Sequence, residues 1–333
     1  MKQFLNKWRF VILGGVLLGA VVFGAAYKEF ESFQAYKVPK PVEVTIQKGW
    51  GIQKIASELA RLQVVSSRFW FMVLGQLQGA GFIQAGYYRI EPGETASSIL
   101  ERLRRGDVAK GKLVIAEGLT VREIAEHLKK AGLQEIAASM GDATLPQRLG
   151  LGSHSLEGYL FPNTYQYRMK DPKDDLLQRI VARGKKILDQ EWLNRPPGFA
   201  LSLYETLIFA SIIEKETGNA AERKHISGVF HNRLRRKMKL QSDPTVIYGI
   251  PDYNGNITRT HLLTPTPYNT YTIQGLPPTP ICNPGQASIH AALHPLETED
   301  LYFVARGDGT HVFSKTLPEH NKNVARFQHP GGG

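Results

Sequence analysis

Two carboxylates spaced two residues apart, Glu214 and Glu216, are the first feature of this 333-residue chain that could do chemistry. They close an apolar run, Ala210-Ser211-Ile212-Ile213-Glu214-Lys215-Glu216-Thr217, whose periodicity predicts a helix over 201–217 stopped by Gly218. The spacing puts the two side chains on roughly opposite sides of that helix. Glu216 shares its face with Phe209, Ile212 and Ile213, whereas Glu214 follows Leu207, Ala210 and Ser211. The bulkier apolar neighbours would desolvate Glu216, raise its pKa and keep it protonated near neutral pH, as a general acid requires. The plainer alternative is two solvated charges in a last helical turn, although the helix dipole mildly disfavours carboxylates there.

The residues that follow could surround such an acid. A second helix is predicted over 221–239, with Ile226, Val229, Phe230 and Leu234 as its apolar stripe. Arg233, Arg235, Arg236, Lys237 and Lys239 make it basic, either as a solvated face or as an attraction for an anionic polymer or lipid head groups. Next comes Leu240-Gln241-Ser242-Asp243-Pro244-Thr245-Val246-Ile247-Tyr248-Gly249, where Asp243 before Pro244 is expected to be extended or in a turn. Residues 264–280 are rich in Pro, Thr, Asn and Tyr and lack periodicity. Rigid loops of that composition suit sugars, with their apolar faces and hydroxyl edges; a purely structural Pro-rich loop fits equally well. There is no HExxH, and the ten His residues have no metal-ligand spacing, so neither a metal nor a cofactor is expected. The lone Cys282, beside Pro280, Asn283 and Pro284, reads as a small apolar filler.

The rest of the chain must position and place these groups. Residues 1–9 carry Lys2, Lys7 and Arg9, and residues 10–27 carry no charge. The uncharged run is at the short end of what spans a bilayer, and the positive flank should stay in the cytoplasm. It reads as a single-pass anchor with everything after it outside the cytoplasmic membrane; a signal peptide cleaved near Gly24-Ala25-Ala26 is the alternative. Residues 28–41 read as a linker and 42–108 as a small α+β domain. Within it and just beyond, a strand-like run, a glycine and an amphipathic helix recur: Gly49 leads to Ile52, Ile55, Ala56 and Leu59, Gly93 to Ala96, Ile99, Leu100 and Leu103, and Gly118 to Val121, Ile124, Ala125 and Leu128. Thr120 and Glu123 have the spacing of a capping box. The pattern alone leaves a sugar-binding LysM-like module and an ordinary α+β unit equally open. Residues 109–154 form a connecting α/β segment, irregular from 135 onward. Residues 155–328 form one larger α+β domain that closes in a hairpin around Gly307-Asp308-Gly309, and residues 329–333 form a tail.

The net charge of +11 favours acidic partners without choosing among them. No zinc-finger spacing, RNA-binding signature or phosphate loop is present, and export argues against nucleic acid or nucleotide partners.

In order and spacing, several segments resemble the endolytic murein transglycosylase family, also called MltG or YceG-like. They are Leu156-Glu157-Gly158-Tyr159-Leu160-Phe161-Pro162, the segment ending in Glu214-Lys215-Glu216-Thr217, the segment from Leu240 to Gly249, Tyr268-Asn269-Thr270-Tyr271, Gly275-Leu276-Pro277-Pro278 and His320-Asn321-Lys322. The anchor and the LysM-like region fit the family too; Asn163 departs from it, since an Asp is expected there. The resemblance implies an inner-membrane enzyme that cuts MurNAc–GlcNAc bonds within nascent peptidoglycan strands and leaves 1,6-anhydro ends. It implies Glu216 as the catalytic residue, acid and then base, and peptidoglycan synthases as neighbours. By motif position, Gln241, Asp243, Asn269, Tyr271 and Glu157 are the expected substrate-binding residues. Two rival readings stand. A hydrolytic muramidase would need a second carboxylate, with Glu157, Asp243 or Glu222 available. A non-enzymatic wall-binding scaffold would rest on the region 42–108 and leave Glu216 dispensable.

Overall fold

The computed structural model describes residues 2–79, 83–169 and 173–328, so the expected tail at 329–333 lies outside the described residues. The fold is mixed α+β and divides into two compact units, Met1–Gly111 with Tyr167–Asp171, and Lys112–Gln166 with Pro172–Gly333.

The first unit contains α1 (Lys2–Ala35), β1 (Val42–Ile46), α2 (Ile52–Arg61), α3 (Arg68–Leu77), β2 (Gly86–Ile90) and α4 (Ala96–Arg105). β1 and β2 pair antiparallel, with Val42 opposite Ile90 and Ile46 opposite Gly86. Alternation along β1 buries Val44 and Ile46. Ile55, Ala56 and Leu59 of α2 and Ala96, Ile99, Leu100 and Leu103 of α4 complete the same core. The glycine-led repeats are therefore core faces. Their glycines at 49, 93 and 118 have φ of +87°, +87° and +78°, a turn into the helix that a Cβ would strain.

One feature differs from expectation. Residues 28–41 are not a free stalk. The apolar helix α1 continues to Ala35, and Phe33 and Val38 enter the core at 2% exposure each. Val38 also pairs with the turn before α4, donating to the Glu94 carbonyl at 3.0 Å and accepting from Gly93 N at 2.9 Å. Phe30 and Phe33 lie on one face of an otherwise polar turn, which overall composition hides. Helix α3 carries no clear period: its sequence, RFWFMVLGQL, is almost uniformly apolar.

The chain crosses between units within β3 (Lys110–Ile115) and again within β4 (Asn163–Arg168), which pair as a two-stranded sheet. The second unit continues through α5 (Val121–Lys130), α6 (Gln134–Ser139), α7 (Leu145–Arg148), α8 (Lys173–Leu193), α9 (Leu203–Glu216), α10 (Arg223–Arg235), α11 (Asp243–Tyr248), α12 (Arg259–Leu263), α13 (Gln286–Leu293), β5 (Tyr302–Ala305), β6 (His311–Ser314) and α14 (Leu317–Gln328). The capping box at α5 forms, with Thr120 N donating to Glu123 Oε2 at 2.7 Å and Glu123 N to Thr120 Oγ1 at 3.2 Å. The hairpin β5–β6 forms with Val304 opposite Val312. The stretch from residue 135, expected to be irregular, instead folds as α6 and α7, which bury Ile136, Ala137, Leu145 and Pro146. Helices this short offer too few positions for a period to show.

Helix α9 is the centre of the second unit. A reciprocal cap between Ser202 and Glu205 starts it, and Thr206 to Ile213 are all buried among α8, α10, α11 and α13. Leu207, Ala210 and Ser211 are as buried as Phe209, Ile212 and Ile213. The expected contrast between an apolar and a less apolar face of this helix is therefore absent.

Gly158, in the turn that packs on α9, has φ +87°, and a Cβ there would lie 2.7 Å from Pro280 Cγ and 3.0 Å from Leu207 Cδ2. Gly158→Ala is expected to cost about 2–4 kcal/mol from left-handed strain and overpacking together. Thermal unfolding of the full chain in detergent checks this; an unchanged midpoint contradicts the clash.

Candidate active site

The two carboxylates of α9 have different fates. Glu214, its side chain 7% exposed, accepts from Gly285 N at 2.9 Å, where α13 begins, and lies 3.8 Å from the Arg223 guanidinium. It ties helices together. Glu216 is the last helical residue before Thr217 turns extended. Its Oε1 accepts a hydrogen bond from Ser242 Oγ.

Ser242 is itself held rigidly. Its N–H donates to Thr270 Oγ1 at 2.9 Å, and its carbonyl accepts from Thr245 Oγ1 at 2.7 Å. The preceding Gln241 takes φ +52° and donates its N–H to the Thr270 carbonyl at 3.1 Å. Tyr271 OH donates to Asp243 Oδ1 at 2.6 Å. Two separate loop segments, 240–243 and 269–271, thus close on each other beside Glu216. Asp243 is neither extended nor in a turn, the two conformations its Pro neighbour suggested. It is the first residue of α11, with Ser242 as the flanking cap position. The bias before proline is a preference, and here the Ser242–Thr270 clamp overrides it.

Burial pushes the Glu216 carboxyl up to about 7; the Ser242 hydrogen bond and the Arg233 charge pull it down, and the Asp243 charge pushes it further up. A carboxyl in that range can give and retake a proton near neutral pH. Burial is also the main cause of the raised Tyr271 hydroxyl, with its bond to Asp243 adding to the shift.

Arg233 is the residue that sequence reasoning missed. Its place in the sequence groups it with Arg235, Arg236, Lys237 and Lys239 as one basic face, yet it is 7% exposed. Its Nε donates to the Leu301 carbonyl at 2.6 Å and Nη1 to the Leu240 carbonyl at 2.7 Å, and the guanidinium lies over the Tyr302 ring. No carboxylate lies within ion-pair distance of it among the described residues. Desolvation lowers its pKa, and the Tyr302, Tyr271 and Glu216 charges oppose that shift. Within a run of basic residues, nothing in the sequence separates a buried arginine from its solvated neighbours.

The expected substrate-binding residues divide. Gln241 and Asp243 are exposed beside Glu216, and Tyr271 is half-buried there. Asn269 and Glu157 are not placed to touch a substrate. Asn269 is fully buried, and its Nδ2 is shared among the carbonyls of His261, Leu262 and Thr264 at 3.1, 3.1 and 2.7 Å, while Oδ1 accepts from Tyr271 N at 2.9 Å. It is a clamp for the loop that carries Thr270 and Tyr271. Glu157, 3% exposed, accepts from Val121 N at 3.1 Å, Tyr248 OH at 3.0 Å and Asn283 Nδ2 at 3.0 Å. Burial pushes it up to about 7, against the pull of those bonds. It joins α5, α11 and the segment before α13. Glu222 is likewise engaged elsewhere, accepting from His311 N and Nδ1 at 3.0 and 2.8 Å. Of the three alternative carboxylates, Asp243 alone acts on the Glu216 proton. Cys282 is buried, with its thiol pushed up mainly by desolvation, and its Sγ meets the Ser211 carbonyl at 3.3 Å. No group of three or more His, Cys, Asp or Glu is arranged to hold a metal ion among the described residues.

Asn269→Ala is expected to lower stability by about 1–3 kcal/mol, since it removes the buried amide that donates to three carbonyls and accepts from the Tyr271 N–H. Asn269→Asp should not rescue it, because a carboxylate cannot donate. Chemical denaturation of both variants beside the wild type checks this.

Glu216 at the end of α9, gripped by Ser242 and beside the Asp243–Tyr271 pair, is the candidate site on a mixed α+β scaffold. Comparison with known proteins places that scaffold. The model of the YceG-like family matches residues 44–326, and the chain belongs to that family. It is 32% identical over 305 residues to a protein of Bacillus subtilis (strain 168) named endolytic murein transglycosylase, covering 86% of this chain and 84% of the relative. A protein of the same name from Streptococcus pneumoniae serotype 2 is 27% identical over 86% of this chain, which spans 58% of that longer relative. The crystal structure of a putative yceG-like protein from Listeria monocytogenes superposes with a TM-score of 0.55 at 31% identity, covering 85% of this chain and 98% of that one.

Proposed function

We propose that this protein is an endolytic murein transglycosylase with Glu216 as its single catalytic carboxyl. The observation that carries the reading is the Glu216 environment: a carboxyl raised to about 7 and hydrogen-bonded by Ser242, in a chain whose relatives bear that enzyme name. Protonated Glu216 gives its proton to the glycosidic oxygen of a MurNAc–GlcNAc bond as the carbon–oxygen bond breaks. The MurNAc 6-hydroxyl then bonds to the anomeric carbon and closes a 1,6-anhydro ring, and its proton returns to the Glu216 carboxylate. The nucleophile is part of the substrate, so no second carboxylate is required, unlike the two-carboxylate scheme of ordinary glycosidases. Gln241, Asp243 and Tyr271 line the sugar site in this reading. The Ser242 bond stabilises the carboxylate form between the two proton transfers.

The charge-free part of α1 serves as a single-pass anchor in the cytoplasmic membrane, with the second unit on the outer side. The helix is long and apolar enough to cross a bilayer over Leu13–Ala35, by length and composition. The first unit acts as a LysM-like wall-binding module, a reading supported by its two antiparallel strands with α2 and α3 between them.

Digestion of purified glycan strands with the wild type and with Glu216→Gln, followed by mass spectrometry of the ends, tests the activity. Anhydro ends that vanish in the variant support it. Reducing ends favour a hydrolase with Asp243 as its second carboxylate. No cleavage by either protein leaves a non-enzymatic wall-binding role.

A further inference from the structure

We propose that α3 is an interfacial helix, lying in the head-group layer of the same bilayer that α1 spans, with Phe69, Val73 and Leu77 turned into the lipid. The proposal rests on the anchor reading of α1. In RFWFMVLGQL the only charged residue is Arg68, and the only other polar side chain is Gln76. A helix apolar on all sides belongs either in a core or against lipid. One face of α3 does meet the core, through Phe71, Leu74 and Gly75. The opposite side does not: Phe69 is 56% exposed and Leu77 72%, and Val73 between them is half-buried. Residues 69, 73 and 77 follow the i, i+4, i+8 spacing, so they form one stripe along about 12 Å of helix.

What covers that stripe follows from the way α1 enters the unit. The helix is continuous from its uncharged run into the core, with no break between Tyr27 and Phe33. From Ala26 on it turns a packed face to the domain, with Ala26 and Phe30 half-buried and Phe33 fully buried. Phe30 packs on Trp70 at 5.3 Å between ring centroids, and Trp70 on Phe69 at 5.1 Å. At 1.5 Å per residue, Phe30 stands only about 5 Å along the axis from Tyr27, the last residue of the uncharged run. The start of α3 is therefore held at the depth where the bilayer ends, within reach of the head groups. Aromatic rings and a neighbouring arginine are the residues that favour that layer. No flexible segment separates membrane and domain that could lift the stripe into water.

The test places a nitroxide on the full chain in phosphatidylethanolamine/phosphatidylglycerol bilayers, at Phe69→Cys or Leu77→Cys, with Val21→Cys in α1 and Lys48→Cys in an exposed turn as references. The native Cys282 is buried and stays unlabelled. Collision with oxygen, which concentrates in lipid, is compared with collision with a water-soluble nickel chelate. The expected result is an oxygen-to-nickel ratio at 69 and 77 severalfold above that at 48 and below that at 21. A ratio at 69 and 77 equal to that at 48, with 21 in lipid, overturns the interfacial placement and leaves the anchor standing. Protection from both reagents at 69 and 77 means that protein covers the stripe, a second copy or another chain, and also overturns it. A low ratio at 21 overturns the anchor and the placement together.

Discussion

Glu216→Gln is expected to reduce glycan-strand cleavage by at least about 10³-fold, since both proton transfers lose their carrier and each such role contributes about 10²–10⁴. Glutamine keeps the shape of the side chain, so binding of strands to the inactive protein should persist. The wild-type profile carries a second signature. The resting enzyme needs the proton on Glu216, whose carboxyl is raised to about 7. kcat/KM should therefore fall about tenfold per pH unit above that value as the acid is lost. The sign for stability runs the same way. A carboxyl raised from 4.5 to about 7 contributes fully below the unfolded value, and that contribution is lost as pH rises through the folded one. At pH 8 the ionised group weighs on the folded state, and Glu216→Gln should be more stable than the wild type there by about 2–3 kcal/mol, with the difference vanishing near pH 4. Equal stability at both pH values would mean that the carboxyl is freely solvated and would remove the physical basis for its role as an acid.

Arg233 carries the second large effect. Arg233→Met would strand the Leu240 and Leu301 carbonyls without donors. It would also release a desolvated cation, a partial offset. A net loss of about 2–4 kcal/mol is expected. Activity should fall further than stability explains. The Leu240 carbonyl fixes the segment that puts Gln241 at φ +52° and aims Ser242 at Glu216. A displacement near 1 Å at such a site costs about 10² in rate. Loss of the Arg233 charge also removes one of the two influences that lower the Glu216 pKa, so the descending limb of the pH profile should move to higher pH. Arg233→Lys separates the two roles. It retains the charge, so the limb should stay in place, but it cannot reach both carbonyls with a fixed fork, so the rate should remain low. If the limb is the same in the methionine variant as in the wild type, the charge of Arg233 does not act on Glu216.

How much of the site was legible follows the range of the forces involved. Helix α9, the hairpin β5–β6 and the capping box at Thr120 are set by neighbours a few residues apart, and periodicity or spacing marks each of them. The choice of Glu216 over Glu214 is different. Face polarity on α9 favoured Glu216, but the folded helix is buried all round, so that reason does not survive. Glu216 is distinguished by its partners instead: Ser242 grips it, while Glu214 is occupied by Gly285 and Arg223. Asn269 and Glu157 both stand in motifs that carry the family resemblance, yet both are buried and fully engaged. A motif does not say whether its residues face a substrate or hold a loop.

The sequence by itself determined the uncharged N-terminal run, the recurrent glycine-led helices, the acidic end of α9 and the motif order that places the chain among its relatives. Only the tertiary structure decided which carboxyl of α9 Ser242 grips, that Arg233 is a buried strut within a basic run, and that α1 runs into the expected linker as far as Ala35 and, with Val38, feeds a core. These outcomes depend on contacts between residues far apart in the chain, such as Ser242 with Thr270 and Arg233 with Leu301. Burial of a charge or an amide is a property of everything packed around it, and local sequence does not contain it.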